Sequence, residues 1–184
     1  MKTKEELLII TNSIIDKLNI ELNKELKKPF WKNKNVDSII SIGEVLTFNN
    51  CRKRSIIRIK EDDISVVLIY SPKADWCGIS YPKSISINVS KIYNELDLKG
   101  TIIHELTHVF GGIEYINEYN YPNHMSDKEY FCHPFEMEAW KSEGWLYSIE
   151  KGIMFKDALK ELLEKNADDE IVDEILNFYL DNDK

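Results

Sequence analysis

His104-Glu105-Leu106-Thr107-His108 sets two imidazoles four residues apart, with a carboxylate beside the first. On a helix a four-residue step returns to the same face about one turn later. Both rings can then bind one zinc ion, and Glu105 can take a proton from a water activated there. The pattern is short and arises by chance, so its context matters. Ile102, Ile103, Leu106, Val109 and Phe110 surround it with apolar residues, as a buried helix requires. Gly111-Gly112 stands where a helix C-cap is expected. The plain alternative is two histidines serving as ordinary core or surface groups.

Catalytic zinc takes three protein ligands and keeps one position open. The segment His133-Pro134-Phe135-Glu136-Met137-Glu138-Ala139-Trp140 offers two carboxylates early in a second helix. Glu136 shares a helix face with Ala139, where a small side chain lets two helices approach closely. Glu138 shares its face with Lys141 and Ser142, a more solvated set, so Glu136 is favoured as third ligand. First-turn acids can also serve only the helix dipole. His124, His133 and Cys132 are weaker alternatives, since a lone loop histidine or cysteine is more often structural. One of Tyr115, Tyr119, Tyr121 or Tyr130 could donate to an oxyanion, and the sequence does not choose among them. Trp31, Trp76, Trp140 and Trp145 read as core or near-core packing.

These residues need a scaffold. Leu7, Ile10, Ile14, Leu18, Leu22 and Leu26 recur at helical steps, predicting a helix over residues 3–28, stopped at Pro29. Residues 39–48, 55–60 and 64–70 are rich in β-branched and aromatic residues and read as strands. The last two form a hairpin around Glu61-Asp62-Asp63. Residues 73–84 read as irregular. Ile85, Ile87 and Val89 alternate with Ser86, Asn88 and Ser90, predicting a half-buried strand at a sheet edge, with Pro82 before it. The motif helix is expected over 98–110. Residues 113–133 read as a long polar loop, and such loops are often functional. Pro134 suits the first turn of a helix reaching about Glu150. Two amphipathic helices are predicted over 155–165 and 169–180.

The 184 residues suit one domain spanning 1–184, with 43% hydrophobic and 30% charged residues. A net charge of −8 argues against general nucleic-acid or anionic-membrane binding. Arg52-Lys53-Arg54 is a local exception, read as a solvated turn before a strand. Cys51, Cys77 and Cys132 are too few and odd in number for a disulfide framework. Leu7-Leu8-Ile9-Ile10 is broken at once by Thr11 and Asn12, so no signal peptide is evident. No segment approaches the ~20 apolar residues of a membrane span. A cytoplasmic protein is expected.

An alternating strand, then H-E-x-x-H, then a helix bearing E-x-x-A resembles the minimal zincin metallopeptidases with a glutamate ligand, the gluzincins. The chain is most similar to small bacterial and phage members, including the ImmA/IrrE-type peptidases, over about residues 79–150. It departs from that type at Trp140, where a small polar residue is usual. The resemblance implies an α+β, zincin-like domain: a small, mainly antiparallel sheet packed on the motif helix, with further N- and C-terminal helices. It implies zinc held by His104, His108 and Glu136, with Glu105 as general base in peptide-bond hydrolysis. It also implies that strand 85–90 is the edge on which an extended protein or peptide substrate pairs. The other expectation is of a different class, a zinc-containing but catalytically silent protein-binding or regulatory module. The sequence does not indicate an oligomeric state.

Overall fold

In the computed structural model, residues 2–49, 51–61, 63–111 and 125–182 are described. The fold is α+β, a four-stranded mixed sheet with helices around it. Helix α1, Lys4–Glu25, begins at a capping box between Thr3 and Glu6, as the 3–28 reading anticipates. It buries Leu7, Ile10, Ile14, Leu18 and Leu22.

Residues 39–48 are not a strand. They form helix α2, Ile39–Phe48. Ser38 caps it, accepting from the backbone N–H of Ser41 at 3.2 Å. Ile39, Ile42, Gly43 and Leu46 are its buried face, a helical period that the β-branched composition hid. Gly43 is the contact point. A Cβ there would lie 2.2 Å from the backbone carbonyl oxygen of Val89, so only glycine lets α2 approach so closely.

Strands β1, Arg54–Glu61, and β2, Ile64–Tyr70, make the expected antiparallel hairpin. Strand β3, Gly78–Tyr81, lies in the segment read as irregular. It turns through Pro82 and Lys83, the latter in the left-handed region at φ 59°, into β4, Ser84–Asn88. Sheet order is β1-β2-β4-β3, with β4 parallel to β2 and antiparallel to β3. The alternating strand is therefore internal, and among the described residues the edges are β1 and β3. Two of the three pairings are antiparallel, so the sheet is mixed. Asn88 ends β4, and residues 89–91 form a single 3-10 turn. Its buried side chain holds the Ser71 backbone on both sides and accepts from the N–H of Ser90.

Helix α3, Glu95–Gly111, carries the motif and packs on α1, β3 and β4. Helix α4, Asp127–Phe131, occupies part of the region read as loop, started by a capping box between Ser126 and Glu129. Gly112, His124, Tyr115, Tyr119 and Tyr121 lie outside the described residues. Helix α5, Pro134–Lys151, packs along α3 and ends at Gly152, whose φ of 64° suits a left-handed cap. Helices α6, Phe155–Asn166, and α7, Val172–Asp181, complete the chain. The described residues form two hydrophobic cores. One joins the sheet to α1, α2 and α3, and the other lies among α4 to α7. Among the described residues no helix is long and apolar enough to cross a membrane.

Candidate metal centre

The two cores meet where α3 lies against α5. His104 and His108 reach from α3, and Glu136 reaches from the first turn of α5, with Pro134 at its start. Glu136 Oε2 lies 3.4 Å from His104 Nε2, and its Oε1 lies 3.5 Å from His108 Nε2. The donor atoms of all three residues fall within 4.8 Å of one another. Glu136 is 4% exposed. Separations of 3.4–3.5 Å are long for strong N–H···O hydrogen bonds, which favour about 2.9 Å. They suit ligands sharing one ion, since bonds of about 2.0–2.1 Å at tetrahedral angles set donors roughly 3.3–3.4 Å apart. The group can hold a metal ion.

The electrostatics agree with a paired set. Burial alone would raise the Glu136 carboxyl, but hydrogen bonds and charge from His104 and His108 hold it far below the usual carboxylate range. Burial works against a charged His104, yet Glu136 and Glu143 raise it well above the ordinary histidine value. Glu105 lies on an adjacent face of α3, against β3. Burial pushes its carboxyl up, and the two motif histidines and a hydrogen bond from Ser80 partly offset this. Gly78 lets the edge strand sit directly over it. A Cβ there would lie 2.6 Å from Glu105 Oε1 and 2.8 Å from Thr101 Cγ2.

Beside Glu105 and His104 a cleft of about 480 Å³ opens, walled by Trp76, Gly78, Thr101, Tyr130 and Trp140. Trp140, read as packing, is packing and site wall at once. Its ring meets His104 edge-on, centroids 5.0 Å apart, and packs on Phe131. The bulky residue where the resembled pattern has a small one fills the space beside the first histidine.

The structure brings together His104, Glu105, His108 and Glu136. Glu138 stays apart, its side chain 43% exposed and 3.9 Å from Lys141. Cys132 closes α4 and is not in the donor group. His133 is buried at the N-cap of α5, near enough to feel the charges of Glu136 and His108, but is not in the group either. Tyr130 alone of the four tyrosines is described, and it lines the cleft. Sequence reasoning missed Glu143, whose Oε2 lies 3.3 Å from His104 Nδ1. The signal was its spacing: seven residues after Glu136, two helical turns along the same face. It also missed Gly78, hidden in a segment without periodicity. Comparison of the chain with protein-family models, with curated proteins and with solved structures finds no match.

Proposed function

We propose that this chain is a zinc-dependent peptidase of gluzincin type, hydrolysing a peptide bond at the α3–α5 junction. The observation that supports this most is the buried Glu105 carboxylate, which lines one cleft together with His104, itself a member of the donor group with His108 and Glu136. Two imidazoles and one carboxylate are a donor set suited to zinc, with room for a water or substrate oxygen. Zinc bound there supplies Lewis-acid polarisation and a more acidic water.

The remaining chemistry belongs to the protein. Glu105 accepts a proton as water adds to the scissile carbonyl carbon, then returns it to the departing amine as the C–N bond breaks. Its raised affinity for protons suits both halves of that exchange. Gly78 keeps the edge strand close above this carboxylate and helps exclude bulk water. An extended substrate would pair with β3 on the side away from β4, the edge of the described sheet nearest Glu105.

The test is metal analysis joined to a proteome-derived peptide cleavage screen, comparing wild type with Glu105→Gln. The expected result is about one zinc per chain in both proteins and cleavage by the wild type only. Zinc bound without cleavage by either protein would replace the peptidase reading with that of a binding module.

A further inference from the structure

Glu143 is a buried carboxylate, 8% exposed, to which the hydrolysis described above assigns no part. Its ion partner among the described residues is His104, through the ring nitrogen turned away from Glu136. The other side of the carboxylate presses on α3 itself. A Cβ on Gly100 would lie 2.7 Å from Glu143 Oε1, 3.2 Å from its Cδ and 3.1 Å from Tyr147 Cε2. Gly100, His104 and His108 are spaced by four along one face of α3, and Glu143 and Glu136 by seven along α5. Glu143 thus sits level with Gly100 and His104, and Glu136 level with His104 and His108. Gly100 is conformationally ordinary, well inside a helix, where glycine is less favourable than alanine. What it supplies is room.

We infer that Glu143 is a positioning residue for the metal centre, seated by the space above Gly100 and fixing His104 through Nδ1. The inference rests on the metal-centre part of the function proposed above. A carboxylate accepting from Nδ1–H selects one tautomer of the ring, leaves the Nε2 lone pair facing Glu136, and makes that nitrogen a better donor. A buried carboxylate carries a desolvation cost, which a partner of this kind offsets.

The experiment measures zinc affinity by chelator competition, and the visible spectrum of the cobalt-substituted protein, for wild type, Glu143→Ala, Glu143→Gln and Gly100→Ala. Loss of such a partner typically weakens metal binding about 10–100-fold. Glu143→Ala should fall in that range, with an altered cobalt spectrum. Glu143→Gln should lose less, because its amide oxygen can still accept from Nδ1–H. Gly100→Ala should weaken zinc by crowding the carboxylate away, but should add nothing in the Glu143→Ala background, where that carboxylate is gone. Thermal midpoints of the metal-free proteins separate these effects from misfolding. If Glu143→Ala does not fold, the near-isosteric Gln variant and Gly100→Ala decide. Wild-type affinity and an unchanged cobalt spectrum in the Glu143 and Gly100 variants overturn the positioning role and leave the metal centre standing. A wild-type chain that binds no metal overturns both.

Discussion

Glu136 and Glu138 stand two positions apart, and their different surroundings follow from helical geometry. Two residues on a helix are about 200° apart, so when Glu136 faces α3, Glu138 faces away. Glu136→Ala should therefore weaken zinc binding by more than ~100-fold, beyond what loss of an outer partner costs. Glu138→Ala should leave it unchanged in the same chelator assay. The reverse order would move the third ligand to Glu138. Glu105→Gln tests the base. Glutamine keeps the volume and loses only the capacity to accept a proton, so zinc content should hold while peptide hydrolysis falls by about 10²–10⁴-fold. A variant that cleaves as fast as the wild type would remove Glu105 from the mechanism. Away from the site, Glu25 shows the same logic in a structural setting. Burial opposes its charge, but Lys28, the Trp31 indole N–H at 3.1 Å and Arg54 at 3.3 Å together lower its carboxyl below the ordinary value. A carboxylate whose folded value is depressed adds stability above its unfolded value of about 4.3, and loses it as pH falls through the folded value. Glu25→Gln should thus melt below the wild type at pH 7. The gap in thermal midpoint should close as the pH drops below about 4, and a gap that is constant with pH would refute the ion-pair account.

At the scale of elements, legibility depended on whether one strong period covered the segment. The helices at 4–25, 134–151 and 155–166 and the hairpin at 54–70 could be read because apolar spacing and end signals agreed. The stretch 39–48 could not, because Ile and Val favour strands, and the burial of Ile39, Ile42 and Leu46 is set by what α2 packs on. Strand β3 could not because its four residues, three half-buried and Tyr81 exposed, carry no period, and its place at the edge comes from pairing with β4. Pro82, taken as the mark of an edge strand, is instead part of the turn that sends β4 inward. The donor group of His104, His108 and Glu136 was legible because each member belongs to a local pattern. Glu143 and Gly100 were not, because their meeting depends on how α3 and α5 are aligned. Gly43 offers a sharp element-level test. Alanine there would improve intrinsic helix propensity by about 1 kcal/mol, yet its Cβ would strike the Val89 backbone, which no rotamer change can clear. Gly43→Ala should therefore destabilise, by roughly 1–3 kcal/mol as overpacking does, in denaturant unfolding. A stabilised variant would mean that α2 does not rest on the turn after β4.

For the whole molecule the position of the donor group matters as much as its composition. One core holds α3 against the sheet, and the other holds α5 against α6 and α7. His104 and His108 belong to the first body, and Glu136 to the second. An ion bound by all three ties the two cores across their seam, in addition to direct packing of α3 on α5 and the Asp97–Lys165 pair at 2.7 Å. Whatever binds the folded chain and not the unfolded one stabilises it by RT ln(1 + [L]/Kd), about 2.7 kcal/mol when free metal is a hundredfold above Kd. For a chain of this length each kcal/mol moves the thermal midpoint by about 2–4 °C, so zinc at that level should raise it by roughly 5–10 °C. Chelation should reverse the shift. Because the ligands lie on opposite sides of the seam, removing either side should abolish the response: His108→Ala and Glu136→Ala should each melt at one temperature with or without zinc. Scanning calorimetry, with and without zinc and chelator, measures this directly. A full zinc-induced shift in Glu136→Ala would show that the metal is held by α3 alone and does not bridge the cores.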